Sequence, residues 1–180
     1  MVSIVSALVR LRRDLLSPHL PQLSMVLRQL IKAIRGVRPL LGVKQRRIVS
    51  DTLPRWINPV YPLGEAEARS LARLLTALTT KSLIRSYGSN DGQKAESLAR
   101  PFARHAPYVL LAYIQLMNDP LSVLSITMRR ELEPGLFALC NMMGEHGRDT
   151  LMAQSLDVGG KLLLKSLWKE FNNQKYVGRG

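Results

Sequence analysis

The chain has 180 residues, the length of one domain with one core. A hydrophobic fraction of 46%, rich in leucine and with only 6% aromatics, excludes a wholly disordered chain and favours helices. One cysteine, Cys140, excludes a disulfide framework and a cysteine-based zinc site, and the net charge of +13 calls for an anionic partner.

In chain order, Ile4, Leu8, Leu11 and Leu15 recur at spacings of four, three and four. They predict one apolar stripe on a first helix, with Arg10, Arg12 and Arg13 mostly off it. Ser17-Pro18 and Pro21 break that helix. A second helix carries Leu23, Leu27, Leu30, Ile31 and Ile34 inward, with Arg28, Lys32 and Arg35 outward and Gly36 as its C-terminal cap. Residues 37–63 hold four prolines and read as a long connector with one short helix near Gln45–Thr52, pinned to the body by Trp56 and Tyr61.

Glu65–Thr80 predicts a helix that buries Leu71, Leu74, Leu75 and Leu78, with Glu65 and Glu67 in its first turn. Residues 85–93 have turn chemistry throughout and predict a second long loop. From Lys94 to Met117 a helical pattern is interrupted at Pro101 and Pro107, with Val109, Leu110, Tyr113, Leu116 and Met117 inward. Asn118-Asp119-Pro120 ends it, and the next helix spans roughly Leu121–Met143. Its row is Leu132, Leu136, Leu139, Cys140 and Met143, and Pro134-Gly135 is expected to kink or split it. A short helix near Arg148–Ser155 leads to the last one, Val158–Asn173. That helix turns Leu163 or Leu164, Leu167, Trp168 and Phe171 inward.

No segment alternates with the period of a strand. The fold expected is all-α: one domain over 1–180 with about seven antiparallel helices, either a HEAT-like solenoid fragment of two or three units or an irregular bundle. No apolar run approaches the ~20 residues of a membrane span. The first sixteen residues lack a charge ahead of their apolar part, unlike a signal peptide, but share the basic, amphipathic character of transit peptides.

Catalytic and metal signals are thin. Glu145, His146 and Asp149 lie close in sequence without a nucleophile, and His19, His105 and His146 have no metal-ligand spacing. Gly159-Gly160-Lys161 lacks the spacing and preceding strand of a phosphate loop. It reads as a helix start capped by Asp157, with glycines that admit a neighbouring helix. No enzyme activity, cofactor, metal or small-molecule substrate is expected.

The charge is the stronger signal. Residues 1–60 hold eleven Lys/Arg against two acids, a net +9, whereas each of the two later thirds nets +2. Arg10, Arg12, Arg13, Arg28, Lys32, Arg35, Arg38, Lys44, Arg46 and Arg47 are therefore the candidate phosphate contacts to RNA. The alternative is a solvated basic face that touches protein, and Lys44–Arg47 also has the composition of a nuclear-import signal.

Several words in order look familiar. They are Ala7–Leu16 followed by Pro18-His19-Leu20-Pro21, Ala72–Leu78, Arg104–Tyr113 around Pro107 and Tyr108, and Leu132–Leu139 around Pro134 and Gly135. They continue into Gly160 and Trp168 of the last helix. In this order the chain resembles the C-terminal domain of the nucleolar pre-ribosomal-associated proteins of the Urb/Npa type, also called unhealthy ribosome biogenesis proteins. The resemblance implies the C-terminal piece of a longer helical-repeat protein in the nucleus and nucleolus. It implies a non-enzymatic factor of early large-subunit (pre-60S) assembly and rRNA processing. The implied partners are a related helical-repeat scaffold, a DEAD-box RNA helicase, small assembly proteins and pre-ribosomal RNA. A module binding only protein is the alternative.

Overall fold

A computed structural model describes residues 1–58, 63–83 and 95–177. The first hairpin is α1 (Val2–Leu11), a single turn α2 (Arg13–Leu16), a 3-10 turn (Ser17–His19) and α3 (Leu20–Ala33). A short α4 (Val43–Asp51) follows, close to the helix expected there. Next come α5 (Glu65–Ala77), α6 (Ala99–Phe102) and α7 (Ala106–Asn118), then α8 (Ile126–Gln154) and α9 (Val158–Val177).

The long helices stack in two layers. One layer runs α1, α5, α8 and the other α3, α7, α9, and α7 against α8 joins the two. Each successive hairpin (α1–α3, α5–α7, α8–α9) gives one helix to each layer. That is how three units of a helical solenoid stack. The core runs along the seam, with Leu71, Leu74, Leu75 and Leu78 of the α5 segment, Leu110 and Ile114 of α7, and Leu132, Leu136 and Leu139 of α8 all fully buried.

The closest crossing is α5 on α8. A Cβ built on Gly135 would sit 2.8 Å from the Ala72 Cα and 3.1 Å from its carbonyl oxygen. Glycine is needed at that point to let the two backbones meet. The helix does not split at Pro134-Gly135, and α8 keeps helical backbone through both. Pro134 and Arg130 lie on its exposed side, where solvent can satisfy the carbonyl that loses its partner. The break falls instead at Gly144, whose backbone is left-handed in φ (67°) and extended in ψ (−174°). This conformation is open to glycine at little cost.

Other expectations shift locally. The first helix ends at Arg12, whose φ of −135° leaves helical space, and Leu15 falls on the separate turn α2. Val5 and Val9 are the buried residues of α1, while the stripe Ile4, Leu8, Leu11, Leu15 faces out, with Ile4 65% and Leu11 77% exposed. Gly36 is not a helix cap. It pairs in a two-residue strand β1 (Gly36–Val37) with Ser122–Val123, so α8 starts only after Ser125, whose hydroxyl accepts from the Met128 amide at 3.2 Å. A second pair joins Ser82–Leu83 to Ala95–Glu96. Both ladders are too short to show the alternation by which a sequence announces a strand. Trp56, 48% exposed, lines a cavity with Leu30, Ile34 and Leu71 of the body, and Ile57 beside it is buried, while Tyr61 and the 85–93 loop lie outside the described residues.

Candidate functional site

Arginine in the first hairpin plays two opposite roles. Arg13 is buried, and its guanidinium reaches back to α1 and across to the end of α5. Its Nε donates to the Val9 carbonyl at 2.9 Å, Nη1 to the Thr80 carbonyl at 2.8 Å and Nη2 to the Ala77 carbonyl at 3.3 Å. The Val9 and Ala77 carbonyls lie in the last turns of α1 and α5, Ala77 also accepting from the Thr80 hydroxyl at 2.8 Å, and a cation there meets the negative end of the helix dipole. Burial pulls the Arg13 pKa below its ordinary value. Arg13 is thus a structural cap, and it leaves the set of candidate phosphate contacts.

Beside it, α1, α5 and α8 enclose a groove of about 530 Å³. Ala72, Thr76 and Ala77 of α5 form the floor with Pro134 of α8. The hydroxyl of Thr76 already donates to the Ala72 carbonyl at 2.9 Å. The rim is cationic, with Arg10 from α1 and Arg69 and Arg73 from α5, one turn apart. The acid on this rim is Glu131, which Arg69 holds through two bonds of 2.7 and 2.6 Å. The Arg69 hydrogen bonds hold the Glu131 carboxyl below its ordinary pKa, so it stays charged and pinned. Arg10 and Arg73 remain exposed to solvent.

Arg69 and Arg73 were not among the residues singled out by charge density, because they lie in the balanced middle third. Their signal was the spacing of four on the polar face of α5.

The remaining predicted contacts do not gather at this groove. Arg28 and Lys32 lie half-buried one turn apart on α3. Arg35 is engaged between elements: it faces Asp119 at 3.7 Å, donates to the Val49 carbonyl at 3.5 Å and bonds the Thr52 hydroxyl. Arg38 donates to the Ser122 carbonyl at 3.0 Å beside the β1 pairing. Arg12 is exposed but held by Asp14 at 3.0 Å. On α4, Lys44 is exposed and Arg46 braces the preceding turn through the Pro39 and Leu41 carbonyls at 2.6 and 2.9 Å. Arg47 makes a loose 3.7 Å contact with Asp51. Lys44, Arg46 and Arg47 form a second basic surface, apart from the groove.

Chemistry of the other kinds stays dispersed. Glu145, His146 and Asp149 are all exposed, and Asp149 is taken by Arg148 at 2.7 Å. Among the described residues no three His, Cys, Asp or Glu side chains could hold one metal ion. Burial pushes the Cys140 thiol up to about 12, so it is a neutral core group. Pro107 opens α7, and Tyr108 beside it is exposed. Asp157 caps α9 by accepting from the Gly160 amide at 2.8 Å, as its position predicted. A Cβ on Gly160 would meet Ile114 of α7 at 3.2 Å, which is the close approach expected there. Trp168 is buried, edge-on to Phe171 at 5.4 Å.

With this geometry in place, comparison with known proteins gives one match. The sequence profile of the Urb2/Npa2 family covers residues 1–179. The chain belongs to the Urb2/Npa2 family. That family comprises ribosome biogenesis factors, and the all-α architecture expected from the sequence is the one this Urb2/Npa2 member has. No curated protein and no solved structure matches the chain.

Proposed function

We propose that this Urb2/Npa2 domain is a non-catalytic scaffold of early large-subunit (pre-60S) assembly in the nucleolus. It binds pre-ribosomal RNA directly, together with protein assembly factors such as a related helical-repeat scaffold and a DEAD-box helicase. Family membership supports the ribosomal setting. The observation that carries the RNA part is the basic-rimmed groove, where Arg10 and Arg73 stand exposed over a floor of small side chains. Such a rim suits phosphates and reads no bases. Lys44, Arg46 and Arg47 on α4 offer a second, separate basic surface.

The test is fluorescence anisotropy with a pre-rRNA fragment over a salt series. Binding should weaken steeply with salt. Arg10→Glu with Arg73→Glu should weaken it at least tenfold and flatten the salt slope by roughly one unit for each arginine replaced. Binding that ignores both salt and the double variant would sink direct RNA contact.

A second reading, a module that binds only protein, is favoured by the outward stripe of Ile4, Leu8, Leu11 and Leu15. A surface helix ordinarily keeps one apolar face, and α1 has two. A factor pull-down that survives RNase and high salt, with no affinity for isolated RNA, would decide for this reading.

A further inference from the structure

The break at Gly144 has a geometric result at the far end of the molecule. It redirects the last part of α8, residues 145–154, which then runs antiparallel to α9. Arg148 lies over Trp168, while Phe137 before the break meets Phe171. Between the redirected segment and α9 an open cleft of about 770 Å³ remains. Met152, Leu164 and Trp168 line its apolar floor. Arg148, Lys165 and Lys169 form its rim, and Asn172 and Asn173 stand at its end.

The rim has an unbalanced charge. Its one acid, Asp149, is already held by Arg148 at 2.7 Å, and the Arg148 guanidinium lies 5.1 Å from the indole centroid of Trp168. Lys165 and Lys169 are exposed, one helical turn apart on the same side of α9. From Leu164 to Asn173 the α9 wall is roughly 15 Å long at ~1.5 Å per residue, the length of two to three helical turns. Met152 and the exposed Ala153 supply the accessible thioether and methyl surface, and Leu164 closes the bottom beneath them. Trp168 is only 6% exposed, so its ring is no open face on which a nucleobase could stack.

We propose that this cleft binds an acidic amphipathic helix of a partner protein. Apolar side chains at i, i+3 or i+4, and i+7 enter the floor, and flanking carboxylates meet Lys165 and Lys169. Asn172 and Asn173 offer amide donors to the end of the bound helix. The proposal names the chemistry of one protein partner within the scaffold reading, and rests on that reading only for there being such a partner. It is independent of RNA binding at the Arg10–Arg73 groove.

The experiment titrates the whole chain into a fluorescein-labelled, fourteen-residue amphipathic peptide with a leucine row and glutamate flanks (about ten residues span the ~15 Å wall, and two more at each end allow for fraying). A second peptide carries lysine in place of every glutamate. The acidic peptide is expected to bind at least tenfold more tightly than the basic one. Lys165→Glu with Lys169→Glu, both at exposed positions, should weaken it at least tenfold. Ala153→Trp, also exposed, fills the cleft without altering charge and should abolish binding while circular dichroism stays that of the native chain. The idea is overturned if the acidic peptide does not bind, if both peptides bind alike, or if Ala153→Trp leaves binding intact. A fall in pre-rRNA affinity in the lysine double variant would overturn it too, and assign the cleft to RNA. Failure of the RNA reading shows only in Arg10→Glu/Arg73→Glu, so the two failures are distinguishable.

Discussion

The first and last hairpins invert each other. In the α8–α9 hairpin the apolar rows face in, from Leu132 to Met143 and from Leu164 to Trp168, and the charges face out. In the α1–α3 hairpin an arginine, Arg13, lies inside while Ile4, Leu11 and Leu15 face solvent. The difference teaches that charge density and hydropathy locate faces without saying which way they point. At the back of the molecule α8 has one dominant apolar row, and α9 buries Leu164, Leu167 and Trp168 while, among its described apolar residues, only Val158 and Leu162 near its start are left strongly exposed. At the front α1 has two, Val2–Val5–Val9 and Ile4–Leu8–Leu11, and its contact with α5 selects the valines.

The contrast is broken most severely at the back. Gly135→Val places side-chain atoms where Ala72 backbone lies 2.8 Å from the Cβ position, between two helices that cannot separate cheaply. It should cost about 3 kcal/mol or more in urea unfolding. Arg13→Ala comes next. It removes the bonds to the Val9 and Thr80 carbonyls, leaves the Ala77 carbonyl with only the Thr80 hydroxyl, and empties a buried site, so it should cost about 2 kcal/mol, whereas Arg10→Ala three residues earlier should stay within about 0.5 kcal/mol. Equal losses at the two positions would erase the distinction between cap and rim.

The α1 rows give a finer test. Val9→Ala, at a fully buried site, should cost about 2 kcal/mol, and Leu11→Ser, at a 77% exposed one, about 0.5 kcal/mol or less. Gly144→Ala meets no atom within 4 Å, so its cost is backbone strain alone, about 2 kcal/mol in the same unfolding assay.

The smallest effect is electrostatic. Glu131 has a folded pKa depressed below its ordinary 4.5 by the Arg69 hydrogen bonds. The folded state therefore releases this proton more readily than the unfolded chain. The pair's stabilisation is present above pH 4.5 and is lost as pH falls through the depressed value. In thermal melts below pH 4.5, wild type should lose more stability than Glu131→Gln, and the two should run parallel above pH 6.

Most of the helices were legible because their buried residues recur at three and four on a single face, as Leu71, Leu74, Leu75 and Leu78 do. Less legible was whatever depended on partners distant in sequence. Pro134-Gly135 is the stronger helix breaker by residue type, yet the crossing with Ala72 fixes it as a close contact in a continuous helix. Gly144 carries the actual break with no proline near it. The groove mixes both kinds of information. The spacing of Arg69 and Arg73 was visible on α5, but their meeting with Arg10 follows from the packing of α1 on α5 some sixty residues away. Arg13 lay in the same basic run as Arg10 and Arg12, and only the position of the α5 end turns it inward.

The central claim is that the α1–α5 face of a two-layer helical scaffold meets RNA during large-subunit assembly. Ultraviolet crosslinking of the intact protein inside purified pre-ribosomal particles tests it most directly, with crosslinked peptides read by mass spectrometry. The account predicts RNA adducts on peptides around Arg10 and Arg69–Arg73, with further adducts on α4 near Lys44–Arg47. RNA adducts absent from residues 1–180, with the chain crosslinked only to protein, would contradict it.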